Sequence, residues 1–134
     1  MDAQRLKTVS LFSDLSKGQL EQLAGWIDEV DLPAGVKLLD EATFAYEFVV
    51  IERGSAAVSI EGRHVNDLGP GDFFGEIALL KTPRRTASVE TTSPMRAAVI
   101  SGANFRAMIR DFPQVAQKVR AVMEARLGVT GQGV

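Results

Sequence analysis

Between Gly69 and Val89 the chain reads GPGDFFGEIALLKTPRRTASV, and this run constrains the fold more than any other. Gly69 and Gly71 flank Pro70, a turn signal that divides one element from the next. Gly75 then frees the backbone where Glu76-Ile77-Ala78-Leu79-Leu80 begins, and these helix formers predict one or two helical turns. A helix that starts there presents backbone N–H groups and a positive dipole end, which suit an anion. Arg84 and Arg85 lie close by, and an arginine fork matches two phosphate oxygens. Glu76 is out of place beside a bare anion. It reads instead as the counter-charge of an arginine or as an acceptor for a ligand hydroxyl. N–H groups, a guanidinium and a carboxylate in one pocket suit a sugar phosphate better than free phosphate. The simpler structural reading is a turn, a short buried helix and an Arg–Glu ion pair holding two strands.

These residues resemble the phosphate-binding cassette of the cyclic nucleotide-binding domain family, which occurs in catabolite activator protein, protein kinase A regulatory subunits and cyclic-nucleotide-gated channels. The family pattern, F-G-E-[LI]-A-L-[LI] and then R-x-A-[TS]-V, is met by Phe74-Gly75-Glu76-Ile77-Ala78-Leu79-Leu80 and by Arg85-Thr86-Ala87-Ser88-Val89. The resemblance implies that Glu76 takes the ribose 2′-hydroxyl and an arginine takes the cyclic phosphate. The family's glutamate-to-arginine spacing selects Arg85 (85 − 76 = 9), whereas the Pro-Arg dipeptide common in relatives selects Arg84. Gly75, Ile77, Ala78, Thr86 and Ala87 complete the candidate ligand-binding set. A threonine directly after the arginine implies tolerance of cGMP beside cAMP. In the family the last helix covers the base, so Met123, Arg126 and Thr130 are candidate base contacts, with Arg120 within reach; Val65, an apolar strand residue near the cassette, is another. One departure is Glu41-Ala42, where relatives carry a glycine after the glutamate. Phe44 and Tyr46 in the same loop are expected to seal one end of the fold.

Taken in order, residues 1–30 read as a helical lead. Ser16-Lys17-Gly18-Gln19 is a capping-box pattern, and Leu20, Leu23, Ala24, Ile27 and Val30 recur at helical spacing. From 31 to 100 short apolar and alternating runs lie between Gly/Pro turns, with Glu61-Gly62 as a hairpin turn, which indicates a sandwich or barrel. The resemblance makes this an eight-stranded jelly roll (double-stranded β-helix) in a mainly β fold with flanking helices. Residues 101–128 form two C-terminal helices, the first capped by Ser101 and the second opened by Pro113. Residues 129–134 are expected to fray.

The length of 134 residues fits a single domain, 1–134, with a real core. The chain has no cysteine and one histidine, His64, so neither thiol chemistry nor a cupin-like metal site is expected. A net charge of −2 gives no electrostatic footprint for nucleic acid, and the polar start lacks a secretory signal. The expectation is a cytoplasmic, non-catalytic module without cofactor or metal. Its ligand is cAMP or cGMP, and it signals through its last helix to an effector protein, as a monomer or as a homodimer through that helix. Neither nucleic acid nor membrane is an expected partner. The alternatives are a protein-interaction or dimerisation module that binds no ligand, and a regulatory fragment of a larger transcription factor or enzyme.

Overall fold

The computed structural model describes residues 1–39, 47–81 and 87–130, apart from the side chains of 78 and 128–130. Among the described residues eight strands form two antiparallel four-stranded sheets, the jelly-roll arrangement, with helices before and after them. The first sheet has the order β1 (Ile27–Leu32), β8 (Met95–Ser101), β3 (Glu47–Arg53) and β6 (Phe73–Phe74). The second has the order β2 (Lys37–Leu39), β7 (Ser88–Thr91), β4 (Ala56–Ile60) and β5 (Arg63–Leu68).

The apolar run Phe48-Val49-Val50-Ile51 explains the layering. Successive side chains of a strand point to opposite faces. Val49 and Ile51 therefore enter the core between the sheets, with Val58, Val89 and Phe74. Phe48 and Val50 face a second core beneath the helices, with Phe12, Leu23, Ile100, Phe105 and Phe112. Phe48 packs on Phe73 and Phe105 at ring-centroid distances of 5.3 and 4.7 Å. Each such fully buried side chain contributes about 1.5–3 kcal/mol by leaving water.

The helical lead ends earlier than the spacing predicted. α1 (Ala3–Lys7) and α2 (Lys17–Ala24) are helices, and the Ser16–Gln19 capping box is formed. Ile27 and Val30 belong instead to β1, which pairs along its whole length with β8. Their separation of three fits a helix, but Glu29-Val30-Asp31-Leu32 alternates, and six cross-strand pairs along β1 decide the matter. The Glu61-Gly62 turn has φ of 52° and 75°, as a tight hairpin requires. On β5 the register passes from Val58↔Asn66 to Ser59↔His64, which leaves Val65 as a bulge.

α3 (Glu76–Leu80) follows β6. α4 (Gly102–Asp111) is capped by Ser101, and α5 (Pro113–Thr130) continues two residues beyond the predicted end at 128. Trp26 stacks on Phe112 at the α4–α5 junction, with ring centroids 5.7 Å apart. The N-terminal half of α5 lies against the N-terminal helices. Val115 and Val119 are buried there, Lys118 Nζ donates to Ser10 O at 2.7 Å and pairs with Asp14 at 3.0 Å, and Gln114 donates to Gln19. Among the described residues no helix is long and apolar enough to cross a membrane.

Candidate functional site

The turn Gly69–Asp72 is closed by its own groups. Asp72 N–H donates to Gly69 O, Gly69 N–H donates to Asp72 Oδ2, and Gly71 N–H donates to Ile51 O. This fixes the entry to β6, whose Phe73 and Phe74 pair with Val50 and Val49. The chain then leaves the sheet at Gly75, where φ is 102°. An L side chain rarely adopts that conformation, so glycine is the residue that lets α3 start immediately after the strand. Ile77 on α3 is buried at 2% exposure and Leu79 at 9%, so this short helix is held by its apolar side.

Glu76, the first residue of α3, is 0% exposed. Its carboxylate Oε1 accepts a hydrogen bond from Arg126 Nη1 at 2.6 Å. Arg126 Nη2 donates to Phe73 O, also at 2.6 Å, and the guanidinium carbon lies 5.3 Å from the centroid of the Phe73 ring. Arg126 reaches the site from the C-terminal half of α5, and its side chain is 16% exposed. The pair is therefore short, charge-assisted and largely desolvated. A buried ion pair must offset several kcal/mol of lost hydration per ion, so two charges persist there only with close contacts of this kind.

The structure thus joins Gly75, Glu76 and Ile77 with Arg126. The Arg126 guanidinium meets the acid and the Phe73 carbonyl, a pairing the sequence did not single out for it. Met123 is 4% exposed and packed within the protein. Ala87 is buried between the sheets. Val65, at 38%, is the exposed large hydrophobic residue among those described, and the β5 bulge presents it. Arg120 is exposed on α5. Arg84, Arg85 and Thr86, the loop with Phe44 and Tyr46, and the side chains of Ala78 and Thr130 lie outside the described residues. His64 is exposed on β5 and pairs with Asp67 at 2.9 Å. Phe73 was not singled out from sequence: its contribution is a carbonyl and a ring face, and nothing in an apolar pair before a glycine announces either.

The family described as "Cyclic nucleotide-binding domain" matches residues 29–112. A protein of Rhodopseudomonas palustris named as a potassium channel is 32% identical over 124 residues, which cover 90% of this chain and 30% of that protein. A cAMP-dependent protein kinase regulatory subunit of Eremothecium gossypii is 32% identical over 105 residues, 78% of this chain and 23% of the subunit. The chain therefore spans less than a third of the length of either relative. Among solved structures, a protein of Geobacter metallireducens named for cyclic nucleotide binding superposes with a TM-score of 0.80 at 27% identity, covering 95% of this chain and 98% of that one. With the strand order, the Gly75–Glu76 turn into α3 and these likenesses together, the chain belongs to the cyclic nucleotide-binding domain family.

Proposed function

We propose that this domain is a non-catalytic receptor for a cyclic nucleotide, cAMP in the first place and cGMP as well, that reports occupancy through α5. The observation that carries the reading is the Glu76–Arg126 contact, which links the family's ribose-binding acid directly to the last helix. Glu76 is closed to solvent, so a ribose 2′-hydroxyl reaches it only if the packing around the carboxylate changes, and Arg126 is part of that packing. Ligand and α5 thereby draw on the same carboxylate. A ligand shifts an equilibrium by its differential affinity for two conformations, and such coupling is typically about 1–3 kcal/mol.

Arg85, with Arg84 beside it, takes the cyclic phosphate, assisted by Thr86 and by the backbone at Ala87 and at Gly75–Ala78. Two or three charge-assisted hydrogen bonds of about 1.5–3 kcal/mol each, with the ribose contact, correspond to micromolar binding at about −8 kcal/mol. The kinship with regulatory subunits named for cAMP favours that nucleotide, and Thr86 accommodates cGMP. The receptor works in the cytoplasm with no cofactor, metal, nucleic acid or membrane, and its output is an effector protein met by α5, as a monomer or as a dimer through that helix.

Titration calorimetry tests this. Wild type gives saturable heat with cAMP. Arg85→Ala weakens binding by about 100-fold, the scale of a lost partner to a charged group, and Glu76→Ala by about tenfold. Absence of heat with wild type favours an interaction module instead. Unchanged heat in Arg85→Ala moves the phosphate role to Arg84, and a larger loss at Glu76 reverses the ranking.

A further inference from the structure

Phe73 meets Arg126 twice, once through its backbone and once through its ring. Its carbonyl oxygen accepts from Nη2 at 2.6 Å, and the guanidinium carbon stands over its ring at 5.3 Å from the centroid. Nη1 of the same guanidinium donates to Glu76 Oε1. The ring is held in place by its surroundings. Phe73 is 6% exposed, β6 pairs it with Val50, and its ring packs on Phe48, which in turn packs on Phe105 of α4. Arg126 arrives from 53 residues away in sequence, on a separate helix. A long side chain has many rotamers, and ordering it has an entropic cost, so a fixed contact is needed to select the rotamer that reaches Glu76. The carbonyl and the ring of Phe73 supply that contact.

An aromatic face is electrostatically negative and attracts a guanidinium within about 6 Å of the ring centroid. The attraction grows as water is withdrawn, and here the ring is buried and the Arg126 side chain is 16% exposed. An aliphatic residue at this position would keep the carbonyl and much of the packing but would offer no such face. The guanidinium is part of the packing around the Glu76 carboxylate. Whatever holds it there therefore also governs how readily a ribose hydroxyl displaces that packing.

We propose that Phe73 is a positioning residue: its ring face holds Arg126 on Glu76 in the ligand-free protein and thereby sets the nucleotide concentration at which the site fills. The proposal rests on the receptor reading above. The test puts pentafluorophenylalanine in place of Phe73 in the full chain, because that residue nearly keeps the size of phenylalanine and reverses the polarity of its ring face. Without nucleotide, NMR reads the exchange of the Arg126 guanidinium protons with water, which becomes about fivefold faster in the fluorinated chain, the scale of a lost cation–π contact. In calorimetry the fluorinated chain binds cAMP about fivefold more tightly than wild type, for the same reason. Phe73→Leu moves both readouts in the same direction, whereas a role in packing alone lowers the Tm of Phe73→Leu and leaves the fluorinated chain like wild type. In Arg126→Met, shown to be folded by its thermal transition, the fluorinated ring changes the affinity no further. Equal proton exchange in the two chains overturns the positioning, and so does a gain in affinity that persists in Arg126→Met. Wild-type binding of cAMP that the fluorinated ring leaves unchanged overturns the threshold alone, whereas no binding of cAMP by wild type overturns the receptor reading and the threshold with it.

Discussion

Two arginine–carboxylate clusters tie helices to the β-roll, and they differ in burial. Beneath α1, Arg5 forks onto Glu52 with contacts of 2.6 to 3.0 Å and reaches Glu29 at 2.7 Å, while Arg96 meets Glu29, Asp31 and Glu52. Each arginine there has at least two acids, and the side chains keep between 18% and 75% of their exposure. At the cassette, by contrast, Glu76 has none, and the pair with Arg126 spans 50 residues of sequence. The redundant, hydrated network fastens α1 to the sheet and tolerates the loss of a member. The buried pair is costly to assemble and costly to break, which suits a junction that a ligand must disturb.

The largest effect is expected from Arg126→Met, which leaves the Glu76 charge buried without its guanidinium. Urea unfolding should show a loss of about 3 kcal/mol, within the range for a broken buried pair. A loss below about 1 kcal/mol would place this pair on the same footing as the surface network. Arg5→Met should destabilise less, and raising salt to about 1 M should shrink its difference from wild type far more than that of Arg126→Met, since exposed charges are screened and buried ones are not. Equal salt responses would erase the distinction between the clusters.

The pH response sharpens it further. The Arg96 hydrogen bond, assisted by Arg5, holds the Glu29 carboxyl below its ordinary value of 4.5. A carboxyl with a depressed folded pKa adds stability that is fully present above its unfolded pKa and is lost as pH falls through the folded one. The Tm gap between wild type and Glu29→Gln should therefore be constant near neutrality and close below about pH 4. A gap that persists through acid would mean that Glu29 carries no such linkage. The smallest change is expected for Lys118→Met, about 0.5 kcal/mol, because Asp14 opposite it is 64% exposed.

Much of this molecule can be read from local sequence. The capping box at Ser16, the Ser101 cap, Pro113 in the first turn of α5, the Glu61-Gly62 hairpin and the doubly buried β3 all arise from rules that act within a few residues. The burial of Glu76 was legible only as a motif. Its partner was not, because the side-chain direction of Arg126 depends on how α5 crosses α3, and no local pattern sets that. The early end of the helical lead was missed for a related reason. Ile27 and Val30 satisfy the helical period, and only pairing with the distant β8 shows that they lie on opposite faces of a strand. The bulge at Val65 is likewise a property of register between β4 and β5, invisible in either strand alone.

Hydrogen exchange along α5, with and without saturating cAMP, tests the link between cassette and helix most directly. In wild type, cAMP should change the protection of amides around Arg126 and leave those near Lys118 unaltered, and in Arg126→Met the nucleotide-dependent difference should vanish. Identical exchange around Arg126 with and without bound nucleotide in wild type would contradict a coupling through Glu76.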